Sequence, residues 1–582
     1  MPRLPPLPTP DRRDPRSSRA SLGFVVGISI ALALAARATR LFAHTYPPGV
    51  DAGYYPLQSR GLLLNGTLPY SDLPLFFWLN AGVAKIATLA GQTVDEATLL
   101  ASKLVDAATQ PWAAVPLAAV VLACIPPALG VARRAVILAA ALALAVLSAP
   151  ILRMVGDFEK NSLGLVFTAV AIWAVQRLLL DVGSRMPDGA HAASDKDRRE
   201  RPSRSPVWAL LMLIASLALA ALTHIGAFGV TLLVVAASLG AMAVRVFEPR
   251  RLVVAAGVGL VAAAALWGMM YLAAPQKAMG LLQGPVKMLV TGDRAAGTPA
   301  FAQPREAERR SVVNEPQPPE GRGPPIGPPG GLGLETLPRA ALWIGVIALG
   351  WYARRLVIAP HAAGTPDALS KRLPSIALRA LLEGLTVALA CITFPLIQGT
   401  YVQRFLIMTP VLLAVPLAAA LAHAATSPAR WLRLASPSLA AVIAVVAASS
   451  GLLTAFRARG PGGQVVRDDA APELLALRDT VPTDGSAVVL ARHGLQWWAG
   501  YFLHTPVREE HATAEQLSKY SRVFILNEKP RATVEPPGDR RGPRGDERRR
   551  PSPMGESIAV PAGATLLHDG AFYTLHEAPK PR

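Results

Sequence analysis

Four short clusters of charged and aromatic residues interrupt an otherwise apolar chain. In the segment PPGVDAGYYPLQSRGLLLNGTLPYSDLPLFFWLNAGVAKI, Asp51 is followed by Tyr54, Tyr55 and Arg60, then by the turn-like Leu68-Pro69-Tyr70-Ser71-Asp72. A second segment packs Arg153, Asp157, Glu159 and Lys160 into eight residues. The third is Thr223-His224-Ile225-Gly226, and the fourth runs from Gln398 through Tyr401 to Arg404 and Phe405. A pair of carboxylates can position an acceptor hydroxyl, take up its proton or hold a divalent cation. An arginine at a helix start suits a phosphate, because its planar fork is bidentate and the helix macrodipole adds to anion binding. Each cluster also has a plainer reading: Arg153, Lys160 and Arg404 as snorkelling anchors, His224 as a helix cap, Asp51 as a solvated loop residue.

The elements that carry these clusters are membrane helices. Of 582 residues, 52% are hydrophobic and only 17% are charged, against roughly 25% in soluble domains. Runs of about 20 apolar residues recur, each long enough for a hydrocarbon core of ~30 Å. Eleven spans are expected: Ser21–Phe42, Pro111–Val131, Ala135–Leu152, Ser162–Leu180, Val207–Leu222, Ala227–Arg245, Leu252–Leu272, Ala340–Tyr352, Ile376–Ile397, Phe405–Ala424 and Leu434–Ala455. Apolar positions run all round them, as lipid-solvated helices require. The net charge of +19 falls in every second loop, which fits the positive-inside rule and argues against nucleic-acid binding. With the N-terminus inside, all four clusters face the extracytoplasmic side, as does the C-terminus. Cys124 and Cys391 both sit in apolar runs and suggest neither a disulfide framework nor a metal site.

Residues 1–20 read as a disordered cytoplasmic tail, and 21–456 as the membrane domain, with an outer loop at 43–110 containing interfacial helices. Inserts at about 295–332 and 529–554 have too little apolar surface to offset ordering entropy. Residues 457–582 read as a small extracytoplasmic α/β domain, with helical runs at Ala471–Thr480 and Leu495–Leu503 and strands at Ala487–Ala491 and Arg522–Leu526. The fold class is therefore an all-α polytopic membrane protein of about eleven transmembrane helices, carrying a small C-terminal α/β domain.

An acid just past the first span, tyrosines after it, a G-x-x-P-Y-x-D turn, an acidic second outer loop and Arg404-Phe405 with Pro410 together resemble the GT-C superfamily of membrane glycosyltransferases. The branch it is most similar to is the protein O-mannosyltransferase and aminoarabinose-transferase group. Position 52, where that family often has a second acid, holds Ala52. The resemblance implies an inverting transfer of a hexose or pentose from a polyprenyl-phosphate-linked donor to a lipid, glycan or protein acceptor, in the inner (plasma) membrane. It implies Asp51 as the catalytic carboxylate, with Asp157, then Glu159, as the second acidic site. Arg404 is matched to the donor phosphate, helped by His224, Arg153 or Lys160. Tyr54, Tyr55, Arg60 and Tyr401 are candidates for substrate contact. A divalent cation (Mg or Mn), held if at all by Asp51 and Asp157, stays open. So do two other functions: a membrane transporter, although no internal repeat is evident, and a non-catalytic envelope-assembly protein. No Walker loop, dinucleotide fingerprint or G-x-S-x-G is present.

Overall fold

The computed structural model describes residues 15–184, 206–246, scattered positions between 257 and 279, 336–356, 373–457 apart from 396, 398 and 399, 464–529 apart from 511, and 557–580. The insert expected at about 295–332 lies outside them, as does all but the first residue of the one at about 529–554, and most of the span expected at Leu252–Leu272.

Helices dominate. Among the described residues, eight helical stretches are long and apolar enough to cross a membrane. The first is α1 (Pro15–Leu41), which begins inside the segment read as a disordered tail. Three helices of the first outer segment follow: α2 (Tyr54–Asn65), α3 (Leu75–Leu89) and α4 (Val94–Thr109). Here the sequence reading needs correction. The loop expected to reach residue 110 ends at Thr93, whose side chain and Glu96 form a reciprocal capping box that starts α4. From there α4 continues through a 3₁₀ turn into α5 (Ala114–Cys124), and Val94–Cys124 forms one apolar stretch of 31 residues. The charged start of α4 (Asp95, Glu96, Lys103) hid this continuity, because hydropathy alone registers only its apolar half.

The next apolar stretch is α6 (Val131–Leu142), a π-helical turn and α7 (Ala149–Arg153); Pro150 at the start of α7 fits the break. Further along are α8 (Glu159–Ser184), α9 (Pro206–Thr223), α10 (Ile225–Val246), α11 (Thr336–Leu356), α12 (Leu373–Ile392), α13 (Thr400–Thr426) and α14 (Arg430–Arg457). Eleven spans are thus not all reached among the described residues. Large side chains of α14, including Leu434, Val442, Val445 and Val446, are more than half exposed, the pattern of a helix facing lipid rather than water.

After residue 464 come the short α15 (Ala471–Ala476) and α16 (Leu495–Leu503), and a five-stranded sheet in the order β2-β1-β3-β5-β4. β1 (Ala487–Ala491) pairs in parallel with β2 (Val507–Arg508) and β3 (Arg522–Glu528); β5 (Tyr573–Ala578) runs antiparallel to β3 and to β4 (Thr565–Asp569). This unit shares its core with the first outer segment. Ala52 and Leu57 pack with Val489, Trp498, Phe502 and Phe524 in one buried cluster. A Cβ on Gly53 would meet the Trp498 ring at 2.8 Å, so the backbone there lies directly on the indole. Arg60 donates to the carbonyls of Gly500 (3.0 Å) and Tyr501, which ties α2 to α16.

Candidate active site

Two loops lock together to place the acids. Gly49 (φ +127°) and Gly156 (φ +79°) face each other: a Cβ on Gly49 would be 2.6 Å from the Gly156 carbonyl oxygen, and one on Gly156 would be 2.1 Å from that of Pro48. Both positions need the left-handed backbone and the bare Cα that glycine supplies. The backbone N–H groups of Val50 and Asp51 then donate to Asp157 Oδ1 at 3.0 and 3.1 Å. Tyr55 staples the other side, donating its hydroxyl to the Asp157 carbonyl (3.2 Å) and accepting from the Glu159 N–H (3.1 Å).

Asp51 is left at the rim, with its side chain 29% exposed. The Trp497 indole N–H donates to Asp51 Oδ1 at 3.3 Å, and His493 Nε2 lies 3.9 Å from the same oxygen. Burial, then the neighbouring Asp157 charge, raises the pKa of Asp51; His493, Lys160 and Arg404 oppose that rise. Four ionisable side chains drawn from three parts of the chain thus bear on one carboxylate. His493 is bonded through Nδ1 to Glu509 at 3.1 Å, and this partner raises its pKa.

Lys160, one of the cations that bear on Asp51, holds a second acid to which the sequence assigned no role. Asp72, at the end of the G-x-x-P-Y-x-D turn, accepts from the Tyr54 hydroxyl at 2.5 Å and pairs with Lys160. The Lys160 ammonium sits 5.4 Å from the Tyr54 ring centre and 5.5 Å from that of Phe77, within cation–π range. Burial, then Asp72, raises the Tyr54 pKa, so this phenol is a donor rather than a base.

A cavity of about 660 Å³ opens next to Asp157. Its walls are mostly apolar: Leu144, Pro150, Phe158, Leu342, Leu406 and Leu413 contribute, with Arg153 and Asp157 at the polar part. Arg404 is exposed at the start of α13, its guanidinium 5.8 Å from the Phe158 ring centre. Pro410 also lines the cavity; it lacks the N–H that would bond the Leu406 carbonyl, leaving a polar atom in the wall.

Beneath these loops lies a sealed charge network. Arg37 and Asp106, both fully buried, form an ion pair; Arg37 also donates to the Asp106 carbonyl (2.9 Å) and to Ser162 (3.1 Å). Asp106 accepts the Gly156 N–H at 2.8 Å. Glu159, also fully buried, accepts from Ser102 at 3.0 Å. The network props the turn that presents Asp157.

The structure therefore gathers Asp51, Asp157, Tyr54, Tyr55, Lys160 and Arg404 into one neighbourhood, with Arg153 on its cavity. Glu159 lies underneath, out of reach of solvent. Arg60 faces α16 and Asp95. His224 accepts the Ala227 N–H at 3.2 Å, as a cap of α10 does, and lies beside Gly226 and near Gly164. The side chain of Tyr401 lies outside the described residues. Sequence reasoning missed His493, Trp497 and Asp72. The Asp72 turn was visible; nothing local marks His493 or Trp497, which join Asp51 from more than 400 residues away.

Asp157 Oδ1 is occupied by two N–H groups, and among the described residues no three His, Cys, Asp or Glu side chains are arranged to hold a metal.

Fold and site together define the class: a multi-pass helical membrane protein whose candidate site lies between the bundle and a small α/β unit. No family model matches the chain, and no curated protein does. Among solved structures it is similar to ArnT from Cupriavidus metallidurans bound to undecaprenyl phosphate, at 14% identity over 95% of this chain and 97% of that one, with a TM-score of 0.46. The apo state of the same protein is matched at 13% identity over 96% and 98%, with a TM-score of 0.40.

Proposed function

We propose that this chain is a membrane glycosyltransferase that moves one sugar from a polyprenyl-phosphate-linked donor to an acceptor held against the α/β unit. The observation that carries the reading is the cavity of about 660 Å³, apolar over most of its wall, with Arg153 and Asp157 lining it and Arg404 over Phe158. An apolar slot with cations at one part matches a lipid tail joined to a phosphate, and matches few water-soluble substrates.

In this mechanism the lipid lies between α6–α7, α11 and α13. Arg404, aided by Arg153 and the Asp72-held Lys160, takes the leaving phosphate. Charge on that phosphate grows as the glycosidic bond breaks, so the contacts strengthen toward the transition state. Asp51, with its pKa raised toward the working range of a general base, receives the acceptor's proton as its oxygen attacks the anomeric carbon from the face opposite the phosphate. One displacement inverts that carbon. Asp157 positions Asp51 through the two backbone N–H bonds, and Tyr54 and Tyr55 hold the loop and Lys160 in place. His224 contributes by capping α10 beside α8. The reaction belongs on the extracytoplasmic face of the plasma membrane, with the N-terminus inside.

The test is transfer of radiolabelled sugar from a panel of synthetic polyprenyl-phosphate monosaccharides by purified protein in nanodiscs. The wild type is expected to release polyprenyl phosphate from at least one donor, and Asp51→Asn to lose that release while melting at the wild-type temperature. Equal release by both proteins would remove Asp51 from the mechanism.

A further inference from the structure

The cavity beside Asp157 has a floor. Its wall on α13 includes Leu406, Thr409, Pro410 and Leu413, a stripe recurring at i, i+3, i+4 and i+7 on one helix face. The stripe stops there, and one turn further in Pro416 is buried. Across the cavity, the wall residue farthest from Arg153 is Leu144, in the π-helical turn between α6 and α7. One turn below it, Ala140 and Ala141 are 0% and 1% exposed. Leu144 and Leu413 are themselves partly exposed, so these two side chains close the slot over a sealed core.

Depth decides what fits. From Arg404 to Leu413, α13 rises about 13 Å at ~1.5 Å per residue. An isoprene repeat adds four chain bonds of about 1.5 Å, roughly 5 Å when extended. With its phosphate at Arg404, a polyprenyl chain therefore meets the floor after about two or three repeats. The volume agrees: about 660 Å³ falls within the roughly 300–1,000 Å³ that encloses a drug-sized molecule, far short of an undecaprenyl chain. The rest of such a chain needs a way out. Leu342 lines the cavity on the α11 side, and among the described residues Ile344 and Ile347 of the same helix are exposed, as on a lipid-facing flank. Lipid is as apolar as a leucine wall, so repeats that have left the slot for the bilayer add nothing to binding.

We propose that Leu144 and Leu413 form a floor that limits recognition of the lipid to its phosphate and first two or three isoprene repeats, the remaining tail leaving between α7 and α11 into the bilayer. Calling the occupant a polyprenyl phosphate rests on the transferase reading; the depth of the slot does not.

The full-length protein in nanodiscs is titrated with prenyl, geranyl, farnesyl, geranylgeranyl and undecaprenyl phosphate. Each lipid is quantified as its mole fraction in the bilayer, so that partition into the disc is not counted as binding. Affinity is expected to rise several-fold per repeat up to farnesyl phosphate, as each repeat packs on the wall. Geranylgeranyl and undecaprenyl phosphate should then bind within about twofold of farnesyl phosphate. Leu413→Trp, which raises the floor, is expected to weaken farnesyl phosphate several-fold and prenyl phosphate by less than about twofold. Leu144→Ala with Leu413→Ala, which lowers it, should let geranylgeranyl phosphate bind about threefold tighter than farnesyl phosphate. Three outcomes overturn the floor and leave the donor reading standing: a series flat from prenyl to undecaprenyl phosphate, a gain of about tenfold or more from geranylgeranyl to undecaprenyl phosphate, or a plateau that neither set of substitutions moves. Binding of none of these lipids, or binding that Arg404→Ala leaves unchanged, overturns both.

Discussion

Two groups of charges lie on opposite sides of the Gly156–Asp157 turn, built from the same residue types and used differently. Below it, Arg37, Asp106 and Glu159 are fully buried and bonded to one another's surroundings through Ser162, Ser102 and the Gly156 N–H. Above it, Asp51, His493 and Arg404 are reached by solvent, and the bonds that fix Asp157 come from backbone rather than from counter-charges. A charge with its counter-ion sealed beside it is a strut. A carboxylate whose cations stand off, with a cavity beside its loop, is arranged to meet a substrate's charge. The difference is therefore one of partnering, not of residue type.

The largest effect is expected from breaking the lower group. Arg37→Ala leaves Asp106 buried without its cation, at a cost of about 3–5 kcal/mol. The protein should melt far lower in detergent, or fail to accumulate in the membrane. Replacing both partners, Arg37→Met with Asp106→Leu, should recover only part of the melting temperature, because the buried Gly156 N–H loses its acceptor; full recovery would mean that this bond does not hold the turn.

Next is Asp51→Asn, expected to cut sugar transfer by about 10²–10⁴-fold without lowering the melting temperature. Glu159→Gln sharpens the contrast. Glu159 is sealed against Ser102, so the amide should keep transfer within about threefold, well short of the loss of a general base. A loss equal to that of Asp51→Asn would move Glu159 into the chemistry.

The smallest effect is a shift of pH dependence. Asp51 must be ionised to accept a proton, and burial and Asp157 raise its pKa. The acid limb of the transfer rate should therefore lie at higher pH than an unperturbed aspartate would give. His493, Lys160 and Arg404 favour the ionised form, so His493→Ala should move that limb to higher pH. A rate–pH profile unchanged in His493→Ala would show that the imidazole does not act on Asp51.

The sequence made the outline readable and left the convergence hidden. Runs of apolar residues located most of the helices, since span length is a local property. In the α/β unit, the helix at Leu495–Leu503 and the strand at Ala487–Ala491 were legible from local pattern alone and appear with those bounds. Asp51, Asp157 and Arg404 were marked by charge beside apolar spans. Arg37 and Asp106 were legible in principle, because an ionised group inside an apolar run is costly unless paired, but they are 69 residues apart and neither names the other. Trp497 and His493 carry no local signal; only the shared core around Trp498 brings α16 onto the Asp51 loop.

The most direct test is a structure of the protein in nanodiscs with undecaprenyl phosphate. The account expects the phosphate within hydrogen-bond reach of Arg404 or Arg153, the chain running along Phe158, Leu342 and Leu406, and Asp51 on the phosphate's open side. A phosphate bound elsewhere on the bundle, with this cavity empty, would contradict it.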